Sequence, residues 1–409
     1  MMNELHEIIK ALITAKGKIT FAEFMELALY YPGLGYYASS RQRVGADGDF
    51  YTSPATHPVF AALIAVQMEQ MWRLMDSPER FDIVEMGAGK GLLARDILSF
   101  LPKLSSSFRN AVSYYAAENN ANRVFHYDHR GAKIIQEIVE TIPAEVCGCF
   151  ISNELIDALP THLVTVQRGR LREVYVTFEG DDFSEVTGTL STPGVESRLA
   201  REGIVLPEGY RTEVNLELDS VFSDMAYRLR KGFVITIDYG YPAGELYSPE
   251  KSSGTLMTYY RHNCGSNPYI RVGYQDITSH VDFTAAIHAG ESGSLETIAL
   301  ISQRDFLANL GIHSFMNALA RRGLPNQEHM ANRYAMQELI REDGMGSFRV
   351  LLQSKGVCQS NLYGTNPENE WKQDLKTGRL FPAVPLLDSE HTPLLEGKYP
   401  HLDVDADVW

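Results

Sequence analysis

The sequence predicts an α/β protein built on a doubly wound, mostly parallel sheet, and three observations predict it. Apolar runs of strand length recur at 81–86, 114–118, 146–152, 233–238, 295–301 and 348–354, separated by helical patterns. The first run passes at once into a glycine-rich loop, Gly87 to Gly91, and then a helix over 92–101. The second ends on an acid, Glu118. Strands that alternate with helices pair in parallel, because each crossover helix carries the chain back to the same end of the sheet.

Taken in order, residues 1–18 form an amphipathic helix with charges throughout. It lacks the apolar stretch and small-residue cleavage site of a secretory signal. A second helix starts at Phe21, with Thr20 and Glu23 in capping-box spacing, and Pro32 stops it. A turn-rich segment, Gly45 to Phe60, leads into a helix over 59–75 with so few charges that it is expected to be buried. A third strand is expected at 132–138. Residues 161–189 alternate apolar and polar around Arg168-Gly169-Arg170, which reads as an antiparallel hairpin added to the sheet or its edge. Residues 239–289 are long, irregular and rich in Gly, Pro and Tyr, and such loops are usually functional. The expected divisions are an N-terminal helical region with a lid segment (1–80), a ligand-binding core (81–160), an inserted hairpin region (161–212), core continued (213–240), a substrate loop region (241–290), core completion (291–356) and a surface-wrapping tail (357–409).

A formal net charge of −15 and a pI of about 5.3 argue against a nucleic-acid surface, since phosphates are neutralised by clustered Lys and Arg. Four cysteines are too few and too scattered for a disulfide framework, and Cys147-Gly148-Cys149 sits in an apolar run as core thiols. No window has the apolar length of a bilayer span. A cytoplasmic protein with no membrane partner is expected, and nothing in the sequence demands a metal.

The strand, Glu85-Met86-Gly87-Ala88-Gly89-Lys90-Gly91, and the helix after it read as a nucleotide-type site. Glycines let the backbone turn tightly and approach a ligand, and the helix start carries partial positive charge. A dinucleotide fingerprint needs a glycine where Leu92 stands, and no P-loop spacing is present. What remains is G-x-G-x-G preceded by an acid, with a second acid, Glu118, to accept from both ribose hydroxyls. That is the arrangement a class I methyltransferase uses for S-adenosylmethionine.

Further stretches carry a resemblance: PGLGYY (32–37), GDFYTSP (48–54), NELIDALPTH (153–162), IDYGYP (237–242), GTL with YRH (254–256, 260–262), DITSHVDF (276–283), SQRDFLANLGI (302–312) and MGSFRVLLQSKG (345–356). In order over residues 5–356, with the glycine loop, they resemble the MidA-like family, whose members include the mitochondrial complex I assembly arginine methyltransferase. The resemblance implies a Rossmann-like class I core with an inserted substrate-binding region, and dimethylation of an arginine in a protein. It also implies that the GDFxTSP segment closes over the cofactor, with Asp49, Thr52 and Ser53 as polar contacts and Phe50 as an apolar face. The sequence departs from the family at Ala55, where an acid is common, at Ala88 in place of Pro, and at Met257 in place of Arg.

The chemistry of transfer points to further residues. A guanidinium is protonated at neutral pH and needs carboxylates to orient it and help remove a proton. Asn153, Glu154 and Asp157 follow the fourth strand, with Asn153 beside the cofactor, and the spacing of Glu154 and Asp157 puts them on one face of a helical turn. A hydroxyl acceptor needs a base instead, and His280 with Asp282 would share one face of a strand as an oriented pair. Asp238 and Tyr239 end the fifth strand, where a substrate would bind. The favoured expectation is an arginine methyltransferase. The alternatives are a small-molecule O- or N-methyltransferase using His280, and a non-catalytic cofactor-binding assembly factor. The partner is therefore a protein or small-molecule methyl acceptor, and a homodimer is compatible with the sequence.

Overall fold

The computed structural model describes residues 4–39, 51–118, 142–358, 361–377 and 383–391. The strand expected at 132–138 and the segment containing Asp49 and Phe50 lie outside the described residues. The chain forms two compact units, residues 1–42, 154–224 and 239–293 in one, and 43–153, 225–238 and 294–409 in the other.

The second unit holds the expected sheet. Its strands are β1 (Phe81–Met86), β2 (Val112–Ala117), β3 (Val146–Asn153), β4 (Leu229–Asp238), β5 (Glu296–Ser302) and β6 (Arg349–Lys355), in the order β5-β6-β4-β3-β1-β2. β1 pairs in parallel with β2 and β3, and β3 with β4, while β6 runs antiparallel to both β4 and β5. The sheet winds outward from β1 in both directions, so the strand order reverses between β1 and β3. In open α/β sheets, ligands bind beyond the carboxyl ends of the strands at that point. The central strands approach closely at the Cys-Gly-Cys sequence. A Cβ on Gly148 would lie 2.0 Å from the Asp82 carbonyl oxygen, and one on Gly232 would lie 1.9 Å from that of Gly148, so these glycines admit no side chain.

The low-charge helix forms as expected at Val59–Leu74 and is buried nearly all round. Its two internal glutamines are buried but satisfied. Gln67 Oε1 accepts from the Gly364 amide at 2.8 Å, and Gln70 Oε1 accepts from the Tyr363 amide at 2.7 Å. The described residues 361–377 of the C-terminal segment are packed into this unit. Leu362 is fully buried, a helix forms at Glu370–Thr377, and the Trp371 indole donates to the Leu310 carbonyl at 2.9 Å.

The other unit departs from several expectations. The hairpin at His162–Gln167 and Arg170–Glu179 exists, with Arg168 and Gly169 both at positive φ (55° and 68°) as a two-residue primed turn requires. It does not join the Rossmann-like sheet. It belongs to a separate antiparallel sheet with Arg211–Val214, Asp182–Gly188 and the short strand Ile19–Thr20. Ile19 and Thr20 pair with Val176 and Tyr175, and this ties the N-terminal helices to the insertion. The second helix, Phe21–Tyr30, does start on the capping box of Thr20 and Glu23. Residues 239–293 are not irregular throughout either. They contain a three-stranded sheet, Met257–Tyr260 between Asn263–Gly265 and Asp276–Thr278, and a helix at Phe283–Ser292.

Candidate active site

The glycine loop is built by the backbone. Gly87, Gly89 and Gly91 all take left-handed φ values (71°, 56° and 70°), a region costly for residues with a Cβ. The Gly87 and Ala88 amides donate to the Ala117 carbonyl at 2.9 and 3.1 Å, which pins the loop to the end of β2. Gly91 is the N-cap of the helix Leu92–Phe100, so the helix starts where the loop ends. Glu118, just past β2, accepts from the Gly89 amide through Oε2 at 2.8 Å. The glycine loop and the second acid are thus joined in one structure.

Glu85 plays a different part from Glu118. It is buried in β1 and accepts from the Tyr114 hydroxyl at 2.7 Å. Burial pushes its carboxyl up to about 8, opposed by the Tyr114 hydroxyl and reinforced by the charge of Glu118. It underpins the loop from inside the sheet. Nothing in the sequence singles out Tyr114, because a tyrosine in a strand looks like core.

The lid residues divide. Thr52 is half-buried and caps the short helix Ser53–Thr56, its carbonyl accepting from the Thr56 amide. Ser53 is fully buried and donates to Gln303 at 3.1 Å, so it braces the segment against the protein rather than facing a ligand. Ala55, where the family commonly has an acid, is buried too. His57 accepts from the Val59 amide through Nδ1 and pairs through Nε2 with Asn332 at 3.1 Å, and burial lowers its pKa to about 3.

Asn153 is the last residue of β3, half-buried, and Asp238 is the last of β4, fully buried. The chain passes from the sheet unit to the other unit directly after each of them. Glu154 and Tyr239 therefore begin the return into the second group of candidates.

Within that unit, Glu154 and Asp157 do not share a face of a helical turn. Glu154 sits at φ 50°, which breaks any helical path at its first step, and Pro160 follows close behind. Only a turn closes, with the Leu159 amide donating to the Ile156 carbonyl at 3.2 Å. Asp157 is buried, and the Tyr239 hydroxyl donates to its Oδ2. Burial raises the Asp157 carboxyl to about 6, and the Tyr239 hydrogen bond pulls in the other direction. A second pair has the same form: the half-buried Tyr37 donates its hydroxyl to buried Asp276 at 2.8 Å. Tyr30 stacks on Tyr37 with centroids 5.5 Å apart and donates to the carbonyl of Ala158, next to Asp157. Tyr259, the cross-strand partner of Asp276, has its hydroxyl pKa pushed up by burial first and then by Cys264, Asp157, Asp276 and Glu154. Asp276 and Tyr259 carry no signal in the sequence beyond their place in or near a motif.

The expected His280–Asp282 pair is absent among the described residues. Asp282 caps the helix Phe283–Ser292, accepting from the Ala285 amide through Oδ1 at 3.0 Å, and no hydrogen bond joins it to the His280 ring. His280 lies between the rings of Tyr239 and Tyr241, with centroids 5.6 and 5.4 Å away, and burial followed by the Lys251 charge lowers it to about 4. Among the described residues, no group of three or more His, Cys, Asp or Glu could hold a metal ion.

Comparison with known proteins decides the family. Residues 63–301, more than half of the chain, match the family model described as "Putative S-adenosyl-L-methionine-dependent methyltransferase". The chain belongs to the MidA-like family of S-adenosylmethionine-dependent methyltransferases. A Burkholderia thailandensis member of the COG1565 superfamily, solved with S-adenosyl-homocysteine, superposes with a TM-score of 0.76 at 30% identity, covering 88% of this chain and 94% of that one. The Drosophila melanogaster protein named protein arginine methyltransferase NDUFAF7 homolog, mitochondrial, is 29% identical over 87% of this chain and 85% of its own. The human protein arginine methyltransferase NDUFAF7, mitochondrial, is 25% identical over 73% and 71%.

The cofactor of this MidA-like enzyme is S-adenosylmethionine. The donor set fits it. Three left-handed glycines permit close backbone approach, the helix at Leu92 starts immediately after them, and Glu118 offers a carboxylate of the kind that accepts from ribose hydroxyls. The phosphate-binding alternatives would need positions this loop does not have.

Proposed function

We propose that this methyltransferase acts on an arginine side chain of a protein. The observation that carries the reading is the Tyr239–Asp157 pair beside Glu154. A tyrosine that gives its proton to a buried carboxylate can only accept further hydrogen bonds through its oxygen, and the negative charge behind it favours a cationic donor. A guanidinium is that kind of partner, planar, always charged and able only to donate. The names of the fruit-fly and human relatives point the same way. Glu154, half-buried at the start of the same turn, supplies a carboxylate that reaches the cation directly.

When bound, S-adenosylmethionine supplies the methyl group as an electrophilic sulfonium. The chain's own task is to orient the guanidinium and take its proton. Asp157, ionised above about 6, receives that proton through Tyr239, and Glu154 fixes the fork. In the reading with His280 as base, no hydrogen bond from Asp282 orients the ring, and no observation favours it. The test is to incubate the enzyme with methyl-labelled cofactor and a library of arginine peptides, and to locate the label by mass spectrometry. Label on a guanidinium nitrogen, nearly abolished by Glu154→Gln with cofactor affinity retained, is expected. Label found only on other atoms, or full activity in the variant, rejects the reading.

A further inference from the structure

We propose that Tyr37 is a second guanidinium-binding residue of the acceptor site and that Asp276 is the residue that positions it. The proposal rests on the arginine reading above and adds the groups that would make the site selective for charge. Tyr37 repeats the chemistry of Tyr239. Its hydroxyl proton goes to a buried carboxylate, so its oxygen presents acceptor character backed by negative charge. Asp276 is held for this purpose by its own neighbour, since its Oδ1 accepts from the Ile277 amide at 2.9 Å while Oδ2 takes the Tyr37 hydroxyl.

The two pairs belong to one cluster. Burial is the largest cause of the raised Tyr37 hydroxyl pKa, the charges of Asp276 and Asp157 raise it further, and both also act on Tyr259. The backbone links the segments as well, with the Ser279 amide donating to the Asp157 carbonyl at 2.9 Å. The ring of Tyr37 is locked from two sides, stacked on Tyr30 at 5.5 Å and edge-on to Tyr36 at 5.0 Å. A phenol fixed in this way gives up little rotational freedom on binding, so its oxygen acts as a preorganised acceptor. Two tyrosine oxygens, each backed by a carboxylate, suit the several N–H donors of a guanidinium, whereas an uncharged urea group gains nothing from the charges behind them.

The test compares two peptides, acetyl-Gly-Arg-Gly-amide and its citrulline counterpart, binding by calorimetry to the full-length enzyme loaded with S-adenosyl-homocysteine. Wild type is expected to bind the arginine peptide and discriminate against citrulline. Tyr37→Phe, which keeps the ring packing, and Asp276→Asn should each weaken arginine binding by about tenfold. Citrulline and S-adenosyl-homocysteine binding should stay unchanged, which a merely structural role for the pair would not leave intact. Should Asp276→Asn fail to fold, Tyr37→Phe carries the test alone. Unchanged arginine affinity in Tyr37→Phe, with wild type still discriminating, overturns the proposal and leaves the arginine reading standing. Equal or absent binding of the two peptides by wild type overturns both.

Discussion

Replacing Glu85 by glutamine gives a prediction whose sign and size both follow from the strand that holds it. Glu85 is buried in β1 with its carboxyl raised from 4.5 to about 8, burial being the largest cause. In the folded protein it is protonated up to about pH 8, whereas the unfolded chain ionises near 4.5. Between those values the unfolded state binds fewer protons, so stability falls as pH rises, by about 1.4 kcal/mol per pH unit, and levels off above about 8. Glutamine is a neutral isostere of the protonated acid, and its carbonyl can still accept from the Tyr114 hydroxyl. The stability of Glu85→Gln carries no such slope. The variant should match wild type near pH 4.5 and gain on it steadily, by about 2–3 kcal/mol between about pH 5.5 and pH 7.5. Urea denaturation of both proteins across this range measures the difference, and titrating groups that do not interact with Glu85 cancel because both chains share them. A difference that does not grow with pH, or a large loss in the variant already at about pH 5, refutes the argument that Glu85 is held neutral inside the sheet.

Gly89→Val places a β-branched residue at φ 56° and should cut S-adenosyl-homocysteine affinity by at least about tenfold, read by calorimetry. Tyr239→Phe removes the hydroxyl that passes the proton to Asp157, so kcat/KM should fall by about 100-fold or more, while wild type should show an acid limb near pH 6. Activity on that limb is lost as pH falls, because it is the ionised Asp157 that accepts the proton. His391→Ala deletes one buried partner of Asp96, 2.8 Å from its Oδ2 on the helix that starts at the glycine loop, while Arg95 stays paired with Oδ1 at 2.7 Å. A loss of about 1–3 kcal/mol in urea denaturation is expected, the cost of leaving one buried carboxylate oxygen without its hydrogen bond. His280→Ala should leave arginine methylation within a few-fold of wild type, measured as initial rate, since its ring packs between tyrosines and Asp282 caps a helix.

The sheet was legible because its central strands are buried on both faces and its strands read as apolar runs. β1 lies at 81–86 as expected, and the ends of β2, β3, β5 and β6 differ by a residue or two. β4 begins earlier, at Leu229, through Arg230 and Lys231, which no apolar pattern marks. The hairpin at Arg168-Gly169 was equally visible from its turn chemistry. Its sheet was not, because membership depends on two short partners, Ile19–Thr20 and Arg211–Val214, too brief to carry a period. The helical spacing of Glu154 and Asp157 misled for a local reason, since spacing has meaning only if the backbone is helical and Glu154 is left-handed.

The two tyrosine–carboxylate pairs show where reading by spacing stops. Tyr239 and Asp157 are 82 residues apart, and Tyr37 and Asp276 are 239 apart. Asp157 and Tyr239 were each legible as site candidates, but not as a pair, and Tyr37 and Asp276 stand only within longer motifs. Their chemistry arises only when a hydroxyl proton is committed to a buried charge, because that turns an amphoteric phenol into an acceptor. Glu85 and Tyr114 form the same pair of residue types with the opposite outcome. Burial inside the sheet raises that carboxyl to about 8, so the pair is neutral at physiological pH and has no charge to offer a cation. Asp157, raised only to about 6, keeps its charge. Both acids are buried, so what separates the two pairs is their other neighbours: the charge of Glu118 raises Glu85 further, whereas backbone hydrogen bonds at Asp157 and Ala158 hold Asp157 down.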